Sequence, residues 1–266
     1  MAEGAADRGG AGVLQEAISG GVCTLTLARP DKRNALNGTL VAALHAALRR
    51  AATDDRVRVV ALRGAGKDFC SGADLAELER IAAGMTHDEN VADAMHLGRL
   101  FTTMRDHPRP IVAVVHGRAL AGGCGLATAC DLILAHEDAQ FGYPEVHLGF
   151  VPAMVMAILR RKVGEGVAFD LVSGGHRIDA REAHRIGLVN RLLPAATFAE
   201  DVGAFLSDLA ARPASALELT KGLLYGLDGM SFEEGIAEGA EVNAQARLTP
   251  ACREGVRAFL ERSAKG

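Results

Sequence analysis

The sequence predicts an α/β fold, a sheet-centred core followed by a helical C-terminal region, and three observations carry that expectation. Strand, turn and helix patterns alternate through the first two-thirds of the 266 residues, the order that builds a parallel sheet covered by helices. Pro110-Ile111-Val112-Ala113-Val114-Val115 is a continuous apolar run, as a strand buried on both faces requires. Two glycine-marked loops, Ser71-Gly72-Ala73-Asp74-Leu75 and Leu120-Ala121-Gly122-Gly123-Cys124-Gly125-Leu126, each follow a strand-like run and open a helix-like one.

Taken in order, Cys23 to Leu27 alternates apolar and polar residues and reads as a strand with one buried face. Asn37 ahead of Leu40, Val41, Leu44 and Leu48 reads as an N-cap and an amphipathic helix. Val57 to Leu62 is the next strand, closed by Gly64-Ala65-Gly66. A helix begins at about Asp74, loosens around Gly84 to Asp88 and resumes through Met95 to Met104. The apolar strand then feeds the second glycine loop and a short helix, and Leu132 to Ala135 makes another buried strand. After Pro152 the pattern is helical apart from a strand at Leu188 to Leu192. From Ala195 to Ala264 it offers three or four amphipathic helices, with Pro213 and Pro250 at helix starts, in the first-turn position that proline tolerates. The expected organisation is a flexible tail over 1–12, a core over 13–194 and a helical region over 195–266.

Composition narrows the function. Hydrophobic residues are 49% of the chain while aromatics are 4% and Trp is absent, so aliphatic side chains must fill the core. A net charge of −4 argues against nucleic-acid binding, which needs a basic face. Five scattered cysteines without a C-x-x-C pair point to reduced thiols in a cytoplasmic compartment. No apolar run approaches the roughly 18 to 20 residues that span a bilayer, so no membrane association is expected. Nine histidines show no metal-ligand spacing, and no metal is expected.

The two loops carry the chemistry. Free backbone N–H groups at a helix N-terminus, with the dipole behind them, favour negative charge. Two such donors aimed at one point stabilise an oxyanion such as a thioester enolate. Gly66-Lys67-Asp68 lacks the Ser or Thr of a phosphate-binding P-loop, and Gly122-Gly123-Cys124-Gly125 lacks dinucleotide spacing. Glu145 follows Pro144 in an apolar setting with Val146, Leu148, Phe150 and Val151, where desolvation raises a carboxyl toward the range useful for proton transfer. Local sequence alone leaves a plain surface glutamate equally open. Cys70 and Cys124 read as small apolar fillers, and Ser71 lacks the surroundings of a serine nucleophile.

Arg29-Pro30 with Asn34-Ala35-Leu36, Phe69 through Leu75, His116-Gly117-Arg118 through Gly123, Cys130-Asp131-Leu132-Ile133, and Phe141-Gly142-Tyr143-Pro144-Glu145 with Leu148-Gly149 stand in a diagnostic order. On these motifs the chain resembles the enoyl-CoA hydratase/isomerase (crotonase) superfamily from about Val22 to Arg262. The resemblance implies a spiral of ββα turns over 13–194 and a C-terminal oligomerisation region over 195–266, giving a homotrimer or dimer of trimers. It implies an acyl-CoA substrate, with no cofactor beyond the coenzyme A the substrate brings. The N–H groups of Ala73 and Gly122 would form the oxyanion hole, and Glu145 would be the acid/base. Ser71, through its main chain, would recognise adenine, with Asp74 and Leu75 also in the substrate-binding segment. Lys67 and Arg29, with Lys32 and Arg33, would approach the phosphates, and Phe259 and Arg262 would reach the nucleotide. The second glutamate of the hydratases falls at Gly125, a departure that favours single-carboxylate double-bond isomerisation over hydration. The alternative is an acyl-CoA-binding member with little or no hydratase activity. His96 and Arg99 stand near the expected acyl pocket, on a helix whose packing residues are Met95, Leu97, Leu100 and Phe101.

Overall fold

The computed structural model describes residues 12–264, so the tail expected over 1–12 lies, apart from Gly12, outside the described residues. A six-stranded sheet forms the centre, with strands β1 (Leu14–Ser19), β2 (Val22–Leu27), β3 (Val59–Gly64), β4 (Ile111–Val115), β6 (Leu132–His136) and β9 (Arg191–Leu193) side by side in that order. Within this sheet the β1–β2 hairpin is antiparallel and the other pairings are parallel. A smaller sheet of β5 (Arg118–Leu120), β7 (Gln140–Gly142) and β8 (Arg177–Asp179) lies beside it.

The apolar 110–115 run is β4, buried at every position, because both faces of the sheet are covered. One face (Leu25, Val60, Leu62, Ile111, Ala113, Ile133) meets helix α1 (Gly38–Thr53), α3 (His87–Asp106) and α4 (Gly122–Ala129) in the main core. The other (Val59, Ala61, Val112, Leu134) is covered by Leu206 and Ala210 of helix α8 (Phe198–Ala210). Helix α8 belongs by sequence to the 195–266 region, yet it packs on β2 and β3. Helices α9 (Ala214–Gly226), α10 (Phe232–Leu248) and α11 (Pro250–Ser263) pack on one another.

Asn37 caps α1 as expected, its side chain accepting the Leu40 N–H at 2.9 Å. Pro250 opens α11, whereas Pro213 stands one residue ahead of α9, at its N-cap. Among the boundaries that differ from the sequence reading, the strand expected over 57–62 runs from Val59 to Gly64, and two others have a visible cause. Helix α3 starts at His87 rather than near Met95, because Thr86 and Glu89 form a reciprocal capping box. The strand expected at 188–192 begins only at Arg191, because Val189 N–H bonds back to Ala183 and Asn190 N–H goes to Ile133. Between these elements lie α2 (Leu75–Ala82), α5 (Ala153–Val163), α6 (Glu165–Gly174) and α7 (Ala180–Arg185).

Candidate active site

The two glycine loops are brought together by a strand-like contact just upstream of both. Cys70 N–H donates to the Arg118 carbonyl and Leu120 N–H to the Cys70 carbonyl, each at 3.0 Å. Past that contact the backbones nearly touch. A Cβ at Gly72 would lie 2.8 Å from the Ala121 Cβ and 3.7 Å from the Gly122 nitrogen, so residue 72 has to be glycine for the loops to meet.

Four amides around the loops are used by the fold: Leu36 N–H goes to Gly72 (2.7 Å), Asp74 N–H to Leu36 (2.8 Å), Ala121 N–H to Gly142 (2.9 Å) and Gly125 N–H to Ala121 (2.9 Å). The first turn of α4 leaves the Gly123 and Cys124 N–H groups unpaired among the described residues. Among the described residues, the Ala73 and Gly122 N–H groups donate to no acceptor in the chain. Gly122 is the first residue of α4, where the helix leaves its N–H groups unpaired. Ala121 before it holds φ +49, a left-handed conformation that a non-glycine residue adopts at a cost.

A buried polar frame holds the first loop in place. Asn34, fully buried with φ +56, donates through Nδ2 to the Ala65 and Asp68 carbonyls, both at 2.8 Å. Its Oδ1 accepts the Arg29 N–H at 2.9 Å. Asp68 pairs with Arg118, whose Nε lies 2.9 Å from Oδ1. Burial alone pushes the Asp68 carboxyl up, but the hydrogen bonds and charge of Arg118 bring it below its ordinary range. Arg29, expected near phosphates, directs its guanidinium to Asp74 at 2.5 Å and to the Ala35 carbonyl. Asp74 caps α2 through the Ala76 N–H, and the Arg29 hydrogen bond holds it low. These two residues therefore brace the loop. Their charges neutralise each other.

The Ser71 N–H is donated to the Arg33 carbonyl at 3.0 Å, which leaves its carbonyl as the main-chain group available to a ligand. Lys67, Lys32 and Arg33 are exposed, and so is Leu75 at the start of α2. Phe259 and Arg262 are exposed on α11, which packs against α9 and α10; these contacts do not carry them to the loops.

Glu145 is tied to the second loop through the chain that delivers it. Gly142, the last residue of β7, accepts the Ala121 N–H, and Glu145 follows three residues later in a short 3-10 turn, Pro144–Leu148. Its Oε2 is buried with no hydrogen-bond partner among the described residues. Desolvation raises the carboxyl above its ordinary range. Nearby, the Tyr143 hydroxyl shares a 2.6 Å hydrogen bond with Thr128. Burial pushes Cys124 up to about 11 and Cys70 up to about 12, so neither thiol supplies a thiolate near neutral pH.

Gly125 lies in the buried part of α4. A Cβ there would meet the Phe101 ring at 3.4 Å and Val155 at 3.5 Å, so the space beside it is apolar. The wall continues along α3 and α5, where Gly98 faces Met154 at 3.6 Å and Met95 at 3.8 Å. His96 and Arg99 lie instead beside His45 and Arg49 of α1; burial, then these like charges, lower His45.

Among the described residues no cluster of His, Cys, Asp or Glu has the makings of a metal site, and no helix is long and apolar enough to cross a membrane. The five cysteines are free.

The enoyl-CoA hydratase/isomerase family model matches residues 17–265. A Thermus thermophilus protein provisionally named an enoyl-CoA hydratase is 44% identical over 243 residues, covering 91% of this chain and 96% of that one. The Escherichia coli 2,3-dehydroadipyl-CoA hydratase is 34% identical over 91% of this chain and 92% of its own length. The crystal structure of a Mycobacterium smegmatis enoyl-CoA hydratase superimposes with a TM-score of 0.89 at 33% identity, over 94% of this chain and 96% of that one. The chain is an enzyme of the enoyl-CoA hydratase/isomerase family and has the crotonase fold.

Proposed function

We propose that the enzyme moves a proton at C2 of an enoyl-CoA thioester, with the Ala73 and Gly122 N–H groups holding the thioester oxygen and Glu145 acting as the acid/base. The observation that carries the reading is an asymmetry. One carboxyl oxygen is buried and unpartnered, while the position to which the family resemblance assigns the second glutamate is a glycine walled by Phe101 and Val155. Hydration needs groups that hold and direct water at the double bond, and an apolar wall does not hydrogen-bond water. Isomerisation needs only one base. Glu145 takes a proton from C2 of a 3-enoyl thioester, the double bond shifts as electrons flow onto the carbonyl oxygen, and the proton returns at C4. The two amides stabilise the intervening dienolate, a contribution of about 100- to 1000-fold per donor in comparable sites.

The hydratase names of the relatives favour a second reading, hydration of a 2-enoyl-CoA with water oriented by Glu145 alone. A non-catalytic acyl-CoA-binding role is the third; the free amides and the raised carboxyl weigh against it. Ser71, Asp74, Leu75, Lys67, Arg29, Phe259 and Arg262 are proposed to meet or brace the coenzyme A portion, Arg29 and Asp74 through the loop they pin. No cofactor is required beyond the coenzyme A of the substrate. Exposed Phe232, Ile236, Leu248, Phe259 and Leu260 on α10 and α11 support a trimer or dimer of trimers built from the C-terminal helices, and the free thiols are in keeping with the cytoplasm.

The test offers 2-enoyl-CoA and 3-enoyl-CoA to the wild-type protein and to E145Q. Conversion of 3-enoyl-CoA that is lost in E145Q supports the proposal. Hydration without isomerisation overturns the preferred chemistry, and binding without turnover of either thioester leaves the binding role.

A further inference from the structure

Glu145 sits on a five-residue turn outside both sheets, so its position depends on what braces that turn. Backbone bonds close the turn on itself, Gly149 N–H to Val146 and Phe150 N–H to Glu145, both at 3.0 Å. Packing from the following residues is thin, since Val146, Leu148, Phe150 and Val151 are exposed. The turn is held from behind by the segment joining α6 to β8. His147 Nε2–H donates to the Gly175 carbonyl at 3.2 Å.

Gly175 ends α6 in the left-handed region, at φ +60, and its N–H donates to Leu171. A Cβ at 175 would come within 2.7 Å of Val146 Cγ1 and 2.8 Å of His147 Nε2. The close approach therefore requires glycine twice over, for conformation and for space. The same segment also grips the chain upstream of Glu145. Gly142 pairs with Arg177, and a Cβ at 142 would lie 3.0 Å from the His176 carbonyl. Glu145 is thus suspended between two attachments to one short stretch, residues 175–177.

We propose that His147, locked onto Gly175, is a positioning residue that keeps the Glu145 carboxyl seated in its buried place; the inference rests on the reading of Glu145 as acid/base. Without that tether the turn swings toward solvent and water reaches Oε2. The titratable groups around the carboxyl are Cys124 of α4 and Tyr143, both kept neutral by burial. On the α6 side are His147 itself and, past Gly175, His176 with Asp170. A hydrated carboxyl returns toward its ordinary range, so the acid limb of the rate profile moves to lower pH.

The experiment measures kcat, KM and the pH profile of kcat/KM for H147A, H147Q and G175A, using the enoyl-CoA that the wild type turns over, with E145Q alongside and thermal melts for each. H147A is expected to lower kcat about 10- to 100-fold, the scale set by a small misplacement of a reacting group, with KM within about twofold and the acid limb shifted down. H147Q, whose amide N–H reaches the same carbonyl, restores most of kcat and the limb. G175A, breaking the contact from the other side, follows H147A. Wild-type kcat and pH profile in H147A overturn the proposal, and so does equal impairment of H147A and H147Q with an unmoved limb. Full activity in E145Q would instead remove the role of Glu145, an outcome distinct from any result at His147.

Discussion

Asp68 and Glu145 are both carboxylates drawn into the interior beside the glycine loops, and the fold treats them in opposite ways. Asp68 has Arg118 against it through both side chain and backbone, at 2.9 Å for Nε and 3.1 Å for the N–H, and is held ionised below its ordinary range. Glu145 has one oxygen with no partner and is raised by desolvation. A paired carboxylate fixes geometry and has little tendency to accept a proton. An unpaired one in an apolar place is ready to accept one, at some cost in stability. Burial alone therefore does not single out a candidate acid/base; burial without a partner does.

The sharpest break of this comparison is E145Q, which leaves the shape and removes the proposed base. It is expected to lower kcat about 1000-fold, within the range of general acid–base catalysis, with KM nearly unchanged. Next is the donor side. Gly122 is the first residue of α4, where proline is tolerated, so G122P removes one N–H; pairing it with A121G keeps the preceding residue free to hold its positive φ. The double variant is expected to lose about 100-fold in kcat while A121G alone stays near wild type, with circular dichroism confirming the fold.

The paired carboxylate behaves differently. D68N leaves the Arg118 charge facing a neutral amide and is expected to lower stability by about 2–3 kcal/mol, less than for a fully buried pair because Arg118 keeps some solvent. The sign with pH follows from the lowered Asp68 value. The stabilisation is complete above the carboxyl's unfolded value and is lost as pH falls through the folded one, so denaturant curves of the two proteins converge in acid. The smallest effect is a gain. Glu145 is raised in the folded state, so the native protein holds its proton more tightly and loses stability as pH rises above the unfolded value. E145Q is therefore expected to be about 1 kcal/mol more stable than wild type at neutral pH, with the difference vanishing below the ordinary carboxylate range.

Much of this was legible in the sequence because the relevant signals are local. The buried strand at 110–115, the Asn37 cap and the two loops each announce themselves within a few residues. Strands β5, β7 and β8 were not legible, since three residues each are too few for an alternation to show. The start of α3 was missed although Thr86 and Glu89 have capping-box spacing, because the charged first turns lack apolar periodicity. Ala73, Gly122 and Glu145 were readable as candidates, but the contact of Gly72 with Ala121 joins residues far apart in the chain and exists only in three dimensions. Arg29 shows the limit most clearly. The family resemblance sets it near phosphates, and only the fold reveals Asp74 against it. His147 carried no sequence signal at all, because its meaning depends on Gly175.

At the centre of the proposal, a carboxyl group with one unpartnered oxygen and two free amides together take the proton from C2 and return one at C4. Incubating the enzyme with 3-enoyl-CoA deuterated at both C2 positions and following C2 and C4 by NMR measures that step directly. The wild type is expected to leave a single deuterium at C2, the other carried to C4 or lost to solvent, and E145Q to leave both in place; no loss of deuterium from C2 with the wild type, or undiminished loss with E145Q, contradicts the proposal.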